Sequence, residues 1–442
     1  MIILYLLLSI LLIVILTNRY KIHPFLVLFG VALLYGLASG MSTTAIIESI
    51  NEGFGGTLGK IGLIIIFGVI IGAFLENTGG AYRLAEKVLK LVGEKRVPTA
   101  MGILGYIISI PVFADSGFIL LSPLNKSLSK KAGISLAGSS IALALGLMAT
   151  HTLVPPTPGP IAAAGILGAD IGWVLLLGIP VSAVAITVGI FYAYRVAGKV
   201  YIDPNPDTTV EEMNAKMKNA PSAIASSLPI LIPIILIIIR SLLMAQEDLS
   251  FTGMSILLFL GEPIIALILG MLLAFTLPGK FEEEYFSQDG WMGKALKDCT
   301  TILLITGAGG VFGKILQNSG ISDTLGAVLS EMNIGILLPF VLSAAIKSAQ
   351  GSSTVALITT ASIIYPMMGT LGFESEMAKA LVVLSIGAGS AVISHANDSF
   401  FWVVTQMSGM DTKTGYRIYS VGTLVLGVTG AACVFLLYLL LN

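Results

Sequence analysis

Charge is what this sequence has least of. Only 11% of its 442 residues are Asp, Glu, Lys or Arg, against 55% hydrophobic, and the mean hydropathy is +0.94. So few charges cannot keep the surface of a soluble domain of this length in water. The net charge of −1 leaves no basic excess for a phosphate backbone, so nucleic acid is not an expected partner. Cysteine is nearly absent. Cys299 and Cys433 lie far apart at the ends of different apolar runs, which supports neither a disulfide framework nor a metal cluster. No H-E-x-x-H pattern or activated nucleophile is present, so no metal, cofactor or enzymatic activity is expected. Met1–Thr17 lacks a basic leader and a small-residue cleavage pattern, and reads as a retained first helix.

What the chain has in abundance is apolar runs of about 18 residues or more, each able to cross a ~30 Å hydrocarbon core as a helix. They fall at roughly 2–18, 23–40, 61–79, 134–170 (broken), 173–194, 223–243, 255–277, 300–318, 377–409 (broken) and 418–441. Barrel strands would instead show short alternating segments. Two further apolar segments, 99–124 and 334–366, contain small polar corners: PVFADSGFILLSPL at 111–124 and KSAQGSSTVALITT at 347–360.

Orientation follows from Lys and Arg. Arg19 and Lys21 place the first short loop inside, and most of the 24 basic residues then fall in alternate, inside segments. Arg83, Lys87, Lys90, Lys95 and Arg96 precede residues 99–124, and Lys126, Lys130 and Lys131 follow them. Both flanks stay inside only if 99–124 enters and returns as a re-entrant hairpin. Its first arm, 99–113, would be only ~22 Å long, too short to cross. The polar stretch 200–221 reads as a cytoplasmic linker between a first repeat, 1–199, and a second, 222–442.

The halves align without gaps where GVIIGAFLENTGGAYRLAEKVL (68–89) lies over GGVFGKILQNSGISDTLGAVLS (309–330). Gly68, Gly72, Leu75, Asn77, Gly79 and Leu84 meet Gly309, Gly313, Leu316, Asn318, Gly320 and Leu325. Loop charges run the two copies in opposite directions. Inverted repeats with discontinuous helices in matching positions point to a secondary transporter with a site near the midplane. The expected fold class is therefore an all-α polytopic membrane protein with about ten transmembrane helices, two re-entrant hairpins and two broken helices.

Ser116 and Gly117 at one corner, and Gly351, Ser352, Ser353 and Thr354 at the other, offer hydroxyls and free N–H groups to a carboxylate at helix ends. Small residues also serve close helix packing. Pro155, Pro156, Pro158 and Pro160 break a helix around Thr157 and Gly159, and Asn397 and Asp398 occupy the partner break. Asp115 and Asp398 are carboxylates in apolar segments, where loss of water favours binding a proton. His151 and His395 flank the breaks and titrate in a useful range. These four are the candidate proton-coupling groups. Lys347 is suited to pairing either with a substrate carboxylate or with a buried aspartate. Asn77 and Asn318, each followed two residues later by glycine, read more simply as helix stop signals.

Four motifs, IPVFADSGF (110–118), HTLVPPTPGPIAAAGILGAD (151–170), KSAQGSSTVALITTA (347–361) and SHANDSFFW (394–402), resemble the gluconate permease family of proton symporters within the ion-transporter superfamily. The resemblance covers nearly the whole chain. It implies a bacterial inner-membrane, multi-pass importer of a small hydroxylated carboxylate: gluconate, a related sugar acid, a short hydroxy acid or D-serine. Its partners would be that anion, a proton as coupling ion, the lipid bilayer and, from the wider superfamily, a second copy in a homodimer. For gluconate carriers the resemblance implies an acidic residue with a neighbouring valine around Asp115–Ser116, and arginine at the position of Lys347. These departures open the substrate choice to the whole class. Sodium coupling is the nearest alternative, ahead of an anion channel or an intramembrane enzyme.

Overall fold

The computed structural model describes residues 2–93, 96–204, 220–245, 252–321, 335–395 and 398–441. Among the described residues the regular elements are all helical. The first half contains α1 (Ile2–Asn18), α2 (Pro24–Ala38), α3 (Thr43–Asn77), α4 (Gly80–Val92), α5 (Val97–Ile108), α6 (Ala114–Lys131), α7 (Leu136–Leu153), α8 (Pro158–Leu167) and α9 (Ile171–Arg195). The second contains α10 (Ala223–Met244), α11 (Met254–Leu260), α12 (Pro263–Phe275), α13 (Trp291–Asn318), α14 (Leu337–Gln350), α15 (Ser353–Ile364), α16 (Glu376–Ser390), α17 (Ser399–Met407) and α18 (Val421–Leu441).

Among the described residues six helices are long and apolar enough to cross a membrane, or seven if α11 and α12, bent by 69°, form one span. Every apolar run of the sequence contains a helix, but α1 and α2 have only 17 and 15 residues. They reach roughly 25 Å or less, so length alone does not class them as full crossings. Helix α3 begins at Thr43, well before residue 61, because Ser42 caps it by accepting from the Ala45 N–H at 3.2 Å. Its more polar first half then packs on α13.

Those two helices run antiparallel. Asn318 donates to Ser49 Oγ at 2.9 Å, Lys314 pairs with Glu52 at 3.0 Å, and Gly53 faces Gly310. Lys314 is thus held in an ion pair between the two helices. A Cβ on Gly53 would lie 2.6 Å from the Gly310 carbonyl oxygen, so the crossing is backbone against backbone. Asn77 and Asn318 end their helices, with Gly79 and Gly320 at φ 74° and 78° beyond the caps. Of the repeat, residues 322–330, including Leu325, lie outside the described residues, as do 205–219 of the linker.

Each half next folds as an apolar hairpin and an interrupted helix: α5–α6 then α7–α8, and α14–α15 then α16–α17. The hairpins form where the corners were expected, although the first turns at residues 109–113, ahead of Ser116. The repeated glycine Gly72 explains how that corner reaches the middle of the protein. A Cβ there would sit 1.9 Å from the Pro111 carbonyl oxygen. We expect Gly72→Ala to destabilise the fold by about 1–3 kcal/mol through overpacking. A thermal melt in detergent would show it, and an unchanged midpoint would contradict this packing.

Helix α4 is the amphipathic exception. Lys90 and Arg83 hydrogen-bond Glu86 at 2.7 and 2.8 Å and hold its carboxyl below the usual carboxylate range. An apolar face with a basic opposite face suits the membrane interface rather than a crossing.

Candidate functional site

The hairpins and the breaks cross over between halves. The second hairpin's α15 packs against α8 of the first half, and the first hairpin's α6 packs against α17 of the second. Phe118 on α6 meets Phe400 on α17 edge to face, with ring centroids 6.1 Å apart. The starts of all four helices are thereby drawn toward the centre. Unpaired N–H groups and the positive end of the helix dipole favour an anion at such positions.

A cavity of about 550 Å³ opens there. Its wall includes Phe113, Ala114 and Asp115 from the start of α6, Ser352, Ser353, Thr354 and Val355 from the start of α15, and Asp398, Ser399 and Phe400 from the start of α17. Met148 and His151 add to it from α7. Proline and glycine set this geometry. The α7–α8 break spans residues 154–157, where Pro155 and Pro156 cannot continue the helix. At the second corner Gly351 takes φ 97°, a conformation that disfavours any side chain.

Lys347 is fully buried behind this wall and pairs with Asp398 Oδ2 at 2.6 Å. It also donates to the Gly351 carbonyl, bracing the hairpin corner. Of the two roles open to Lys347 from sequence, the structure shows the pairing with a buried aspartate. Asp398 is held further by Ser394, which donates to Oδ2, and it caps α17 by accepting from the Phe400 N–H at 3.0 Å. Ser394 is a supporting residue that sequence reasoning missed, though it stands within the SHAND run. Behind it, Ser420 donates to the Ser394 carbonyl from a π-helical turn, Gly415–Ser420, whose wider ladder frees backbone groups.

Asp115 is different. Its Oδ1 is buried with no hydrogen-bond partner among the described residues, and the charges of Asp398 and Lys347 both act on it. His151 Nδ1 is likewise buried and unpartnered, and feels the same two charges. His151 also borders a second, small space of about 10 Å³ beside the break, lined by Thr157, Pro156 and the corner residues Ile110–Phe113. A space of that size holds about one water. Orphaned polar atoms facing a cavity are groups that a proton, water or ligand would satisfy.

The remaining candidates lie around the cavity rather than on its wall. Ser116 is half-buried in the first turn of α6, and Gly117 packs against Leu147. Thr157 donates to the Val154 carbonyl at 2.6 Å, and Gly159 packs against Leu357 of α15. His395 Nε2 lies 2.7 Å from the Ser348 carbonyl oxygen, fastening the break to the hairpin. Asn397 lies outside the described residues. Two further parts of the wall carry no signal in the sequence: Thr17 and Lys21–Pro24 around the turn between α1 and α2, and Thr301, Ile302 and Ile305 on α13.

The full chain has known counterparts. The sequence model of GntP family permeases matches residues 1–440. A gluconate permease of Pseudomonas aeruginosa is 34% identical over 97% of this chain and 95% of its own. The D-serine transporter DsdX of Escherichia coli is 33% identical over 98% and 97%. Among solved structures, the YdaH transporter of Alcanivorax borkumensis superposes with a TM-score of 0.69 at 14% identity, covering 94% of this chain and 98% of its own. That likeness establishes a shared fold.

Proposed function

The chain belongs to the GntP family of permeases, and from that premise we propose that it is a proton-coupled importer of a small hydroxylated carboxylate. As a family member it is a secondary transporter and not an enzyme, and it works as a multi-pass protein of the bacterial inner membrane. The single observation that carries the finer reading is the cavity where three helix starts meet Asp115. Ser352, Ser353 and Thr354 would receive the substrate carboxylate and hydroxyls, while Asp115 takes the proton. His151, next to the small space at the break, would relay it.

Charge explains why the two cargoes would travel together. Lys347 balances Asp398, which leaves Asp115 as the uncompensated acid facing the substrate. An anion beside an ionised Asp115 is repelled, and protonation removes that repulsion. Relatives named for gluconate and for D-serine bracket the substrate class by charge. The basic loops put the turn between α1 and α2 inside, so the cavity in this structure would face the cytoplasm. The linker 200–221 would lie on that side too, between repeats of opposite orientation.

The test is competition in liposomes holding the purified protein. Labelled gluconate uptake would be measured against unlabelled glycerate, 3-hydroxybutyrate, lactate and D-serine. A hydroxy acid should compete, and Ser353→Ala should weaken it by about 1 kcal/mol, roughly fivefold, through one lost hydrogen bond. Uptake blocked by none of these compounds would remove the substrate assignment.

A further inference from the structure

We propose that Lys21, in the turn between α1 and α2, is a substrate-binding cation that holds the carboxylate of the transported anion at the cytoplasmic mouth of the cavity. The inference rests on the organic-anion reading above and adds a residue that the helix-start site does not include. Lys21 is the one lysine or arginine among the described residues lining the cavity. The other formal charges on that wall are Asp115 and Asp398, and Lys347 is already spent on Asp398. Without Lys21, an anion moving along the cavity would face a net negative wall whenever Asp115 is ionised.

The turn also positions this side chain at a conformational cost. Lys21 has φ 54°, a left-handed conformation that costs a residue with a Cβ about 1 kcal/mol and that glycine adopts freely. It is fixed on both sides. Ile22 N–H donates to the Leu16 carbonyl at 3.1 Å, and the His23 ring accepts from the Phe25 N–H at 3.3 Å to start α2. A turn needing only to reverse the chain would be served better by glycine, so the lysine points to a use for its charge. Thr301 and Ile302 of α13, which line the same cavity, bring no competing charge. Loop charges place both the turn and the start of α13 on the cytoplasmic side.

The position makes the effect one-sided. In oriented membrane vesicles or liposomes, Lys21→Gln should raise KM for the best-carried anion by roughly threefold to tenfold when transport starts from the cytoplasmic face. KM from the opposite face should stay within about twofold, because the cavity must close to the cytoplasm before substrate binds there. In the unmodified protein the cytoplasmic-face KM should rise with salt, and in Lys21→Gln it should be flat. Lys21→Arg should restore the wild-type value. Lys21→Gly separates charge from folding: relieving the backbone should leave the thermal midpoint equal or higher while KM still rises. Equal KM changes at both faces, or none in a Lys21→Gly protein that still transports, would overturn the proposal alone. A wild-type protein that carries no organic anion would overturn it together with the reading on which it rests.

Discussion

Lys347→Met should lower the stability of the protein by about 3–5 kcal/mol and abolish transport, because it strands the carboxylate of Asp398 without its cation. The pair is buried, with Nζ and Oδ2 at 2.6 Å, and Lys347 also ties the Gly351 corner to the break. Removing one partner of a buried pair is more damaging than removing both, since the survivor keeps its desolvation penalty. The double variant Lys347→Met with Asp398→Asn should therefore regain at least half of the lost stability while remaining inactive. Chemical or thermal unfolding in detergent measures this directly. Single and double variants that melt together, at the wild-type midpoint, would show that the pair is not formed.

Asp115→Asn should uncouple transport rather than unfold the protein. One coupled proton lets a pH difference of one unit hold about a tenfold substrate ratio, since each unit is worth 1.36 kcal/mol. In Asp115→Asn that ratio should fall to one, while exchange of labelled for unlabelled substrate continues within several-fold of the wild-type rate. The amide copies the protonated acid in shape and charge and cannot release a proton. Its effect on stability should be small, because Oδ1 has no hydrogen-bond partner among the described residues to lose. Retained accumulation at the wild-type ratio would move the proton to another group, with His151 the first to examine.

Much of the fold could be read from sequence because a bilayer leaves few choices. Apolar length marks the helix positions, and the short first arm of 99–124 is by itself enough to imply a hairpin. The repeated Gly72 and Gly313 marked places where other backbone presses close. Boundaries were less legible. The extra turns of α3 before residue 61 are set by contact with α13, which hydropathy does not register.

The candidate site was legible in residues but not in roles. Asp115, His151, Ser352, Ser353, Thr354 and Asp398 do share one cavity. Whether Lys347 faced substrate or aspartate depended on the side of the corner from which it points, and only the three-dimensional arrangement decides that. Ser116 and Gly117 fell off the wall because the turn comes several residues before them. Lys21 was visible only as a topology marker, since nothing in its neighbourhood signals that the turn between α1 and α2 folds over a cavity formed some 100 to 380 residues later.

The most direct test of proton-coupled transport through this cavity is the proton movement itself. Liposomes holding the protein and an internal pH dye would be given gluconate, or the hydroxy acid that competes best, with no imposed pH gradient and no sodium. Acidification of the lumen in step with substrate entry, absent in Asp115→Asn, is what coupling through Asp115 requires. Substrate entry with an unchanged lumen pH, or entry that begins only when sodium is added, would contradict it.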